Sequence, residues 1–143
     1  MAKAMADAGM TVVVAAGNDN ADASGFSFGS EPSALTVAAS DIHDVRASFS
    51  NFGSVVDIFA PGVDVLSAWI GSNTATRMLS GTSMATPHVA GLAAYYIKLY
   101  SLSGSSVASK IISTATKNKI TDAQGSPNRI AYNNNNQESS YGR

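Results

Sequence analysis

Apolar residues fall along this chain in short, dense blocks separated by polar, glycine-containing stretches. The block Met10-Thr11-Val12-Val13-Val14-Ala15-Ala16 is nearly uninterrupted and rich in β-branched residues. Its shortness and composition predict a strand buried on both faces, as in a parallel sheet. Residues 1–8, just ahead of it, are good helix formers, and Gly9 suits the position past a helix end. Residues 35–39 predict a second strand and 55–60 a third, stopped by Pro61-Gly62. Residues 63–69 predict a fourth, more exposed strand. A long helix is expected from Ser83 to about Tyr100, apolar nearly all round through Met84, Ala85, Val89, Ala90, Leu92 and Ala93, and hence buried. A second helix, residues 106–116, places Val107, Ile111, Ile112 and Ala115 on one face. A helix feeding a buried strand is the second half of a βαβ unit, and no first strand precedes it here. The pattern therefore implies an α/β domain with a mainly parallel sheet, present in part.

Composition narrows the function classes. The chain has 143 residues, 45% hydrophobic and 13% charged, with net charge −1, which suits one globular domain or a piece of one. A balance so close to neutral argues against a nucleic-acid binder. No apolar run approaches the ~18 residues of a membrane span. With no cysteine, disulfides, thiolate zinc sites and cysteine nucleophiles are all excluded. Met1 to Asp7 has helical character and no apolar h-region follows, so no signal peptide is visible. Residues 134–143 are polar and Asn-rich and read as a disordered tail, leaving 1–133 as the folded portion.

The chemically informative stretch is Gly81-Thr82-Ser83-Met84-Ala85-Thr86-Pro87-His88-Val89-Ala90-Gly91. A serine at a helix start sits among unpaired backbone N–H groups, where the dipole favours negative charge. Such a serine can simply cap the helix. Two features point further. Gly81 allows close backbone approach. Pro87 removes the amide that would pair with the Ser83 carbonyl, an expensive choice inside a helix. The G-x-S-x-G elbow is excluded because Ala85 stands where its second glycine belongs, and no phosphate loop occurs.

Gly81 to Gly91 resembles the nucleophile motif of the subtilisin-like serine proteases. Val13-Val14-Ala15-Ala16-Gly17-Asn18 resembles the segment that carries that family's oxyanion asparagine. Ser48-Phe49-Ser50-Asn51-Phe52-Gly53, Asp57-Ile58-Phe59-Ala60-Pro61-Gly62 and Leu66-Ser67-Ala68-Trp69-Ile70-Gly71 resemble the proteinase K branch, with its fungal secreted and vacuolar enzymes. The resemblance implies a three-layer sandwich and a serine endopeptidase acting on proteins or peptides, outside the cell or in a vacuole. It makes Ser83 the nucleophile, and Asn18 an oxyanion donor beside the Ser83 backbone N–H. Ala15, Ala16 and Gly17 would form one wall of the S1 pocket. Asn18 by itself could equally be a turn residue. No catalytic cofactor is implied, but a structural calcium is, held by the carbonyls of Pro32 and Ala34 and by Asp57. Asp57 could instead be a solvated or capping aspartate.

A serine hydroxyl needs a base and a group to orient it. The family's D-[ST]-G and H-G-T-H motifs and its upstream Ser/Leu-Gly-Gly strand do not occur in these 143 residues. Asp7-Ala8-Gly9 mimics the first but ends a helix ahead of the strand. His88 lies five residues beyond Ser83, about 140° round the helix, and reads as a core histidine. His43, between Asp41 and Asp44, reads as a surface residue. At Ser27-Phe28-Gly29 relatives usually carry a Ser-Pro-Ala-like stretch near the S1 floor, so no specificity beyond "broad" is implied. The expectation is the carboxyl-terminal portion of a subtilase domain, whose partner is the remainder of that domain. The alternative is a non-catalytic fragment, or one half of a nicked protease.

Overall fold

The computed structural model describes residues 1–27 and 29–134. Among them the chain runs α1 (Ala2–Asp7), β1 (Val12–Ala15), β2 (Ala34–Ser40), β3 (Ile58–Pro61), β4 (Val65–Ala68), β5 (Thr76–Leu79), α2 (Thr82–Tyr100), α3 (Ser105–Thr114), β6 (Thr116–Lys117) and β7 (Arg129–Ile130). Strands β1, β2 and β3 pair in parallel. β7 extends the sheet beside β3, and β6 closes it antiparallel, giving the order β1-β2-β3-β7-β6. β4 and β5 form a separate hairpin.

The pleat of the central strand sorts its side chains. All seven residues of β2 are buried. Leu35, Val37 and Ala39 face α2 and α3, and pack with Ile58, Ala60, Ala85, Val89, Tyr96, Val107 and Ile111. Ala38 and Phe59 point the other way, toward Ala16, Ala23, Val56 and Ile120. Each of the Val, Leu, Ile and Phe side chains among these contributes about 1.5–3 kcal/mol on full burial. One face of the sheet is thus covered by helices and the other by irregular chain, an α/β arrangement with a mainly parallel sheet, as expected.

Several expectations need correction. β1 is only half-buried, because no strand among the described residues pairs with its outer edge. Val55 lies in a turn and β3 starts at Ile58, so the predicted third strand was too long at its amino end. α2 is buried on one face, through Thr82, Ala85, Val89, Leu92, Ala93 and Tyr96. Ala90, Tyr95, Ile97 and Leu99 are exposed, and Tyr100 is exposed with the Lys110 ammonium 4.2 Å from its ring centroid. β5, β6 and β7 were not foreseen. They are short and largely polar, and cross-chain backbone pairing rather than alternation defines them. Of residues 134–143, where a disordered tail was expected, all but Asn134 lie outside the described residues. No helix among the described residues is long and apolar enough to cross a membrane.

Candidate active site

The start of α2 is seated at the carboxyl ends of the parallel strands by backbone contacts. The Gly81 N–H donates to the Gly62 carbonyl (2.8 Å), and the Gly62 N–H donates to the Ser40 carbonyl (2.9 Å). A Cβ on Gly62 would stand 2.5 Å from the Ala39 Cβ and 2.9 Å from the Gly81 oxygen, so only glycine permits this approach. The next residue, Thr82, is fully buried. Its N–H and its Oγ1 both donate to Asn18 Oδ1, each at 2.9 Å, and Oγ1 accepts from the Gly17 N–H (3.3 Å). Both bonds to Oδ1 fix the orientation of the Asn18 amide, leaving Nδ2 as the free end.

Ser83 is exposed one residue into the helix. The N–H groups of Met84 and Ala85 turn back to the Gly81 carbonyl, and that of Thr82 is taken by Asn18. The Ser83 N–H has no acceptor among the described residues. A point built where a Gly81 Cβ would stand lies 3.6 Å from Asn18 Nδ2 and 3.7 Å from Ser83 N. Two donors without a partner among the described residues, one from a side chain and one from the backbone, thus lie near one point, which Met84 Sδ also approaches at 3.5 Å. Such a pair can stabilise an oxygen that gains negative charge. Pro87 sits inside α2, as anticipated, four residues after Ser83.

The loop that carries Asn18 is held from below. Gly17 has φ +104°, and a Cβ there would stand within 2.3 Å of Asn51 Nδ2. Asn51 is itself fully buried. Its Oδ1 accepts from the N–H groups of Asp19 (2.9 Å) and Ala21 (3.1 Å), and its Nδ2 donates to the Ala16 carbonyl (2.9 Å). Arg46, also buried, donates to Asn20 Oδ1 (3.0 Å), the Ser50 carbonyl (2.6 Å) and Asp122 Oδ2 (3.0 Å). The Gln124 amide and then Arg46 hold the Asp122 carboxyl below its ordinary value. Thr82 and Asn51 were not singled out as site residues from the sequence. Both lie in stretches that carried the resemblance, but their bonds to the Asn18 loop span 30 to 64 residues and leave no local signal.

The other predicted residues separate. Ala15 is half-buried and Ala16 is fully buried in the core below the sheet, so Ala16 presents backbone rather than side chain. Ser83 lines a cleft of about 310 Å³ with Val65, Leu66, Ser67, Met84, Pro87 and His88, which Ala15 to Gly17 do not enter. His88 is exposed, not a core residue, because it lies on the uncovered side of α2. Its Nδ1–H donates to the Met84 carbonyl (2.9 Å), and it makes no hydrogen bond to Ser83. His43 is exposed, as expected.

Pro32, Ala34 and Asp57 come together at the opposite end of the sheet, lining one cleft of about 260 Å³. Asp57 Oδ2 accepts from the Thr36 N–H (2.8 Å), and its other oxygen has no partner among the described residues. Burial pushes this carboxyl above its ordinary value, opposed by the Thr36 amide and by Arg129. Asp57 thus offers one hard carboxylate oxygen to the cleft that Pro32 and Ala34 also line, while no cluster of three or more His, Cys, Asp or Glu occurs among the described residues.

With this geometry, comparison with known proteins places the molecule. The chain belongs to the subtilase family, Peptidase S8, which matches it over residues 1–142. It is 63% identical over 128 residues to alkaline protease 1 of Emericella nidulans, covering 89% of this chain and 32% of that protein. It is 52% identical over 133 residues to the cuticle-degrading serine protease of Arthrobotrys oligospora, covering 91% of this chain and 32% of that one. Its fold is similar to the crystal structure of a cold adapted subtilisin-like serine proteinase, with TM-score 0.87 and 42% identity, over 92% of this chain and 48% of that one. The chain thus spans about a third of the length of the curated relatives it matches.

Proposed function

We propose that this chain carries the nucleophile and the oxyanion-binding part of a serine endopeptidase site, and that it does not hydrolyse peptides alone. The observation that carries the reading is that Asn18 Nδ2 and the Ser83 N–H, neither with a hydrogen-bond partner among the described residues, both lie within 4 Å of one point beside Gly81, and that Ser83 is exposed. Ser83 Oγ attacks the scissile carbonyl carbon, and its proton passes to a base from the rest of the domain, the family's H-G-T-H histidine. The carbonyl oxygen takes the negative charge and receives both N–H bonds. The base later returns the proton to the leaving amine as the C–N bond breaks. The backbone of Ala15 to Gly17 lies along the substrate on the Asn18 side. Substrates are proteins or peptides outside the cell, a reading supported by relatives named as alkaline and cuticle-degrading proteases.

The test is reconstitution. Purified chain alone should neither turn over a chromogenic peptide nor label with a fluorophosphonate. Co-expressed with the portion of Emericella nidulans alkaline protease 1 that it does not align with, it should do both, and Ser83→Ala should abolish both. Labelling of the chain alone would overturn the claim of inactivity. A folded but inert assembly would favour the second reading, a non-catalytic fragment.

Pro32, Ala34 and Asp57 would hold a structural calcium, which supplies charge neutralisation at the far end of the sheet from Ser83. Without metal, the raised Asp57 carboxyl makes stability fall as pH rises through its folded-state value. In the reconstituted domain with a chelator at neutral pH, Asp57→Asn should therefore melt above the parent. Calcium at a hundred times its Kd should raise the parent by about 2.7 kcal/mol and leave Asp57→Asn unmoved. Equal responses of the two proteins would remove the site.

A further inference from the structure

We infer that Asn51 is a positioning residue for the oxyanion donor: it sets where Asn18 stands, without touching substrate. The inference rests on the reading of Asn18 given above.

Three observations carry it. Asn51 has no exposed surface, and every hydrogen bond of its side chain goes to one loop. Its Oδ1 takes the amides of Asp19 and Ala21, its Nδ2 reaches the Ala16 carbonyl, and its own N–H donates to the Gly17 carbonyl (2.9 Å). Those contacts bracket Asn18 on both sides, so the loop has two fixed feet and Asn18 stands between them. The place a Gly17 Cβ would occupy is filled by Asn51 Nδ2, so the amide is pressed against the backbone it supports. Finally, Asn18 Oδ1 is already anchored to Thr82, so a shift of the loop would break that anchor and turn Nδ2 away from the Ser83 N–H. A donor displaced by a fraction of an ångström loses much of its effect on a developing charge. A merely structural asparagine would affect stability and leave the chemical step alone.

Kinetics in the reconstituted enzyme separate the two roles. Asn51→Leu keeps similar bulk and removes every side-chain bond. It should lower kcat by about tenfold or more with KM within about threefold. In an Asn18→Leu background the same substitution should cost under about twofold in kcat, because the group it positions is gone. Full kcat in folded Asn51→Leu, or a loss undiminished in the Asn18→Leu background, would overturn the inference. Should Asn51→Leu not fold, Asn51→Asp carries the test. Its second oxygen faces the Ala16 carbonyl and displaces that foot, so a kcat loss should appear and should vanish in the Asn18→Leu background. No loss, or a persistent one, counts against Asn51.

If the wild-type assembly shows no Ser83-dependent hydrolysis, the reading of the site itself falls. Asn51 is then decided by amide hydrogen exchange in the same preparation. The amides of Asp19 and Ala21 should exchange at least about tenfold faster in Asn51→Leu while those of β2 stay unchanged. Equal exchange would refute the positioning role.

Discussion

Asn18 combines a fixed acceptor end with a free donor end, and that asymmetry is what makes its role measurable. Because the oxygen of an attacked carbonyl gains charge only as the bond forms, a donor aimed at it acts on the chemical step. Asn18→Leu in the reconstituted enzyme should therefore lower kcat and leave KM nearly unchanged. The expected loss is about 10²–10³, a magnitude carried over from a subtilisin asparagine. A kcat within about twofold of the parent, under ~0.5 kcal/mol, would make Asn18 a turn residue only. Ser83 and Asn18 were legible in the sequence because each sits in a motif. Their supports were not, because Thr82 and Asn51 act through bonds to residues 64 and 30–35 positions away, which no local pattern encodes. His88 was misplaced for a related reason. Its apolar neighbours imply burial, but burial depends on what packs against the helix.

At the scale of elements, local pattern located both long helices and the three central strands within a few residues. It failed where an element owes its form to a partner far along the chain, as with β7, which aligns on β3 through one residue pair, Phe59 with Ile130. The carboxyl-terminal segment is tied to α2 by a side chain as well. Tyr96 is fully buried, and its hydroxyl donates to the Tyr132 carbonyl (2.8 Å) and meets Thr114 Oγ1 at 3.0 Å. That one hydroxyl joins α2, the end of α3 and the strand exit at 131–132. Tyr96→Phe should lower the stability of the reconstituted domain by about 1 kcal/mol, read from chemical denaturation, with no change in kcat. An unchanged midpoint would mean that packing alone holds this corner.

Over the whole molecule, apolar surface is unevenly covered. β1 has an unpaired edge, and Tyr95, Ile97, Leu99 and Tyr100 of α2 are exposed. Purified alone, the chain should associate at micromolar concentration and melt without a sharp transition, as followed by light scattering and calorimetry. A monomer with one cooperative melt would contradict this. The two apolar clusters lie on opposite faces of the sheet, whereas the reactive end is fixed by the contacts of Gly62, Gly81 and Thr82. The first cluster nevertheless reaches that end, since Ala39 and Ala85 lie against Gly62. Exchanges among Val37, Ile58 and Val89 can be absorbed by neighbouring side chains, while the Gly62–Gly81 seam, made of main chain on main chain, has nothing that can yield. Natural variation in such a molecule should halt at a few nearly featureless positions, whose importance comes from having no side chain at all.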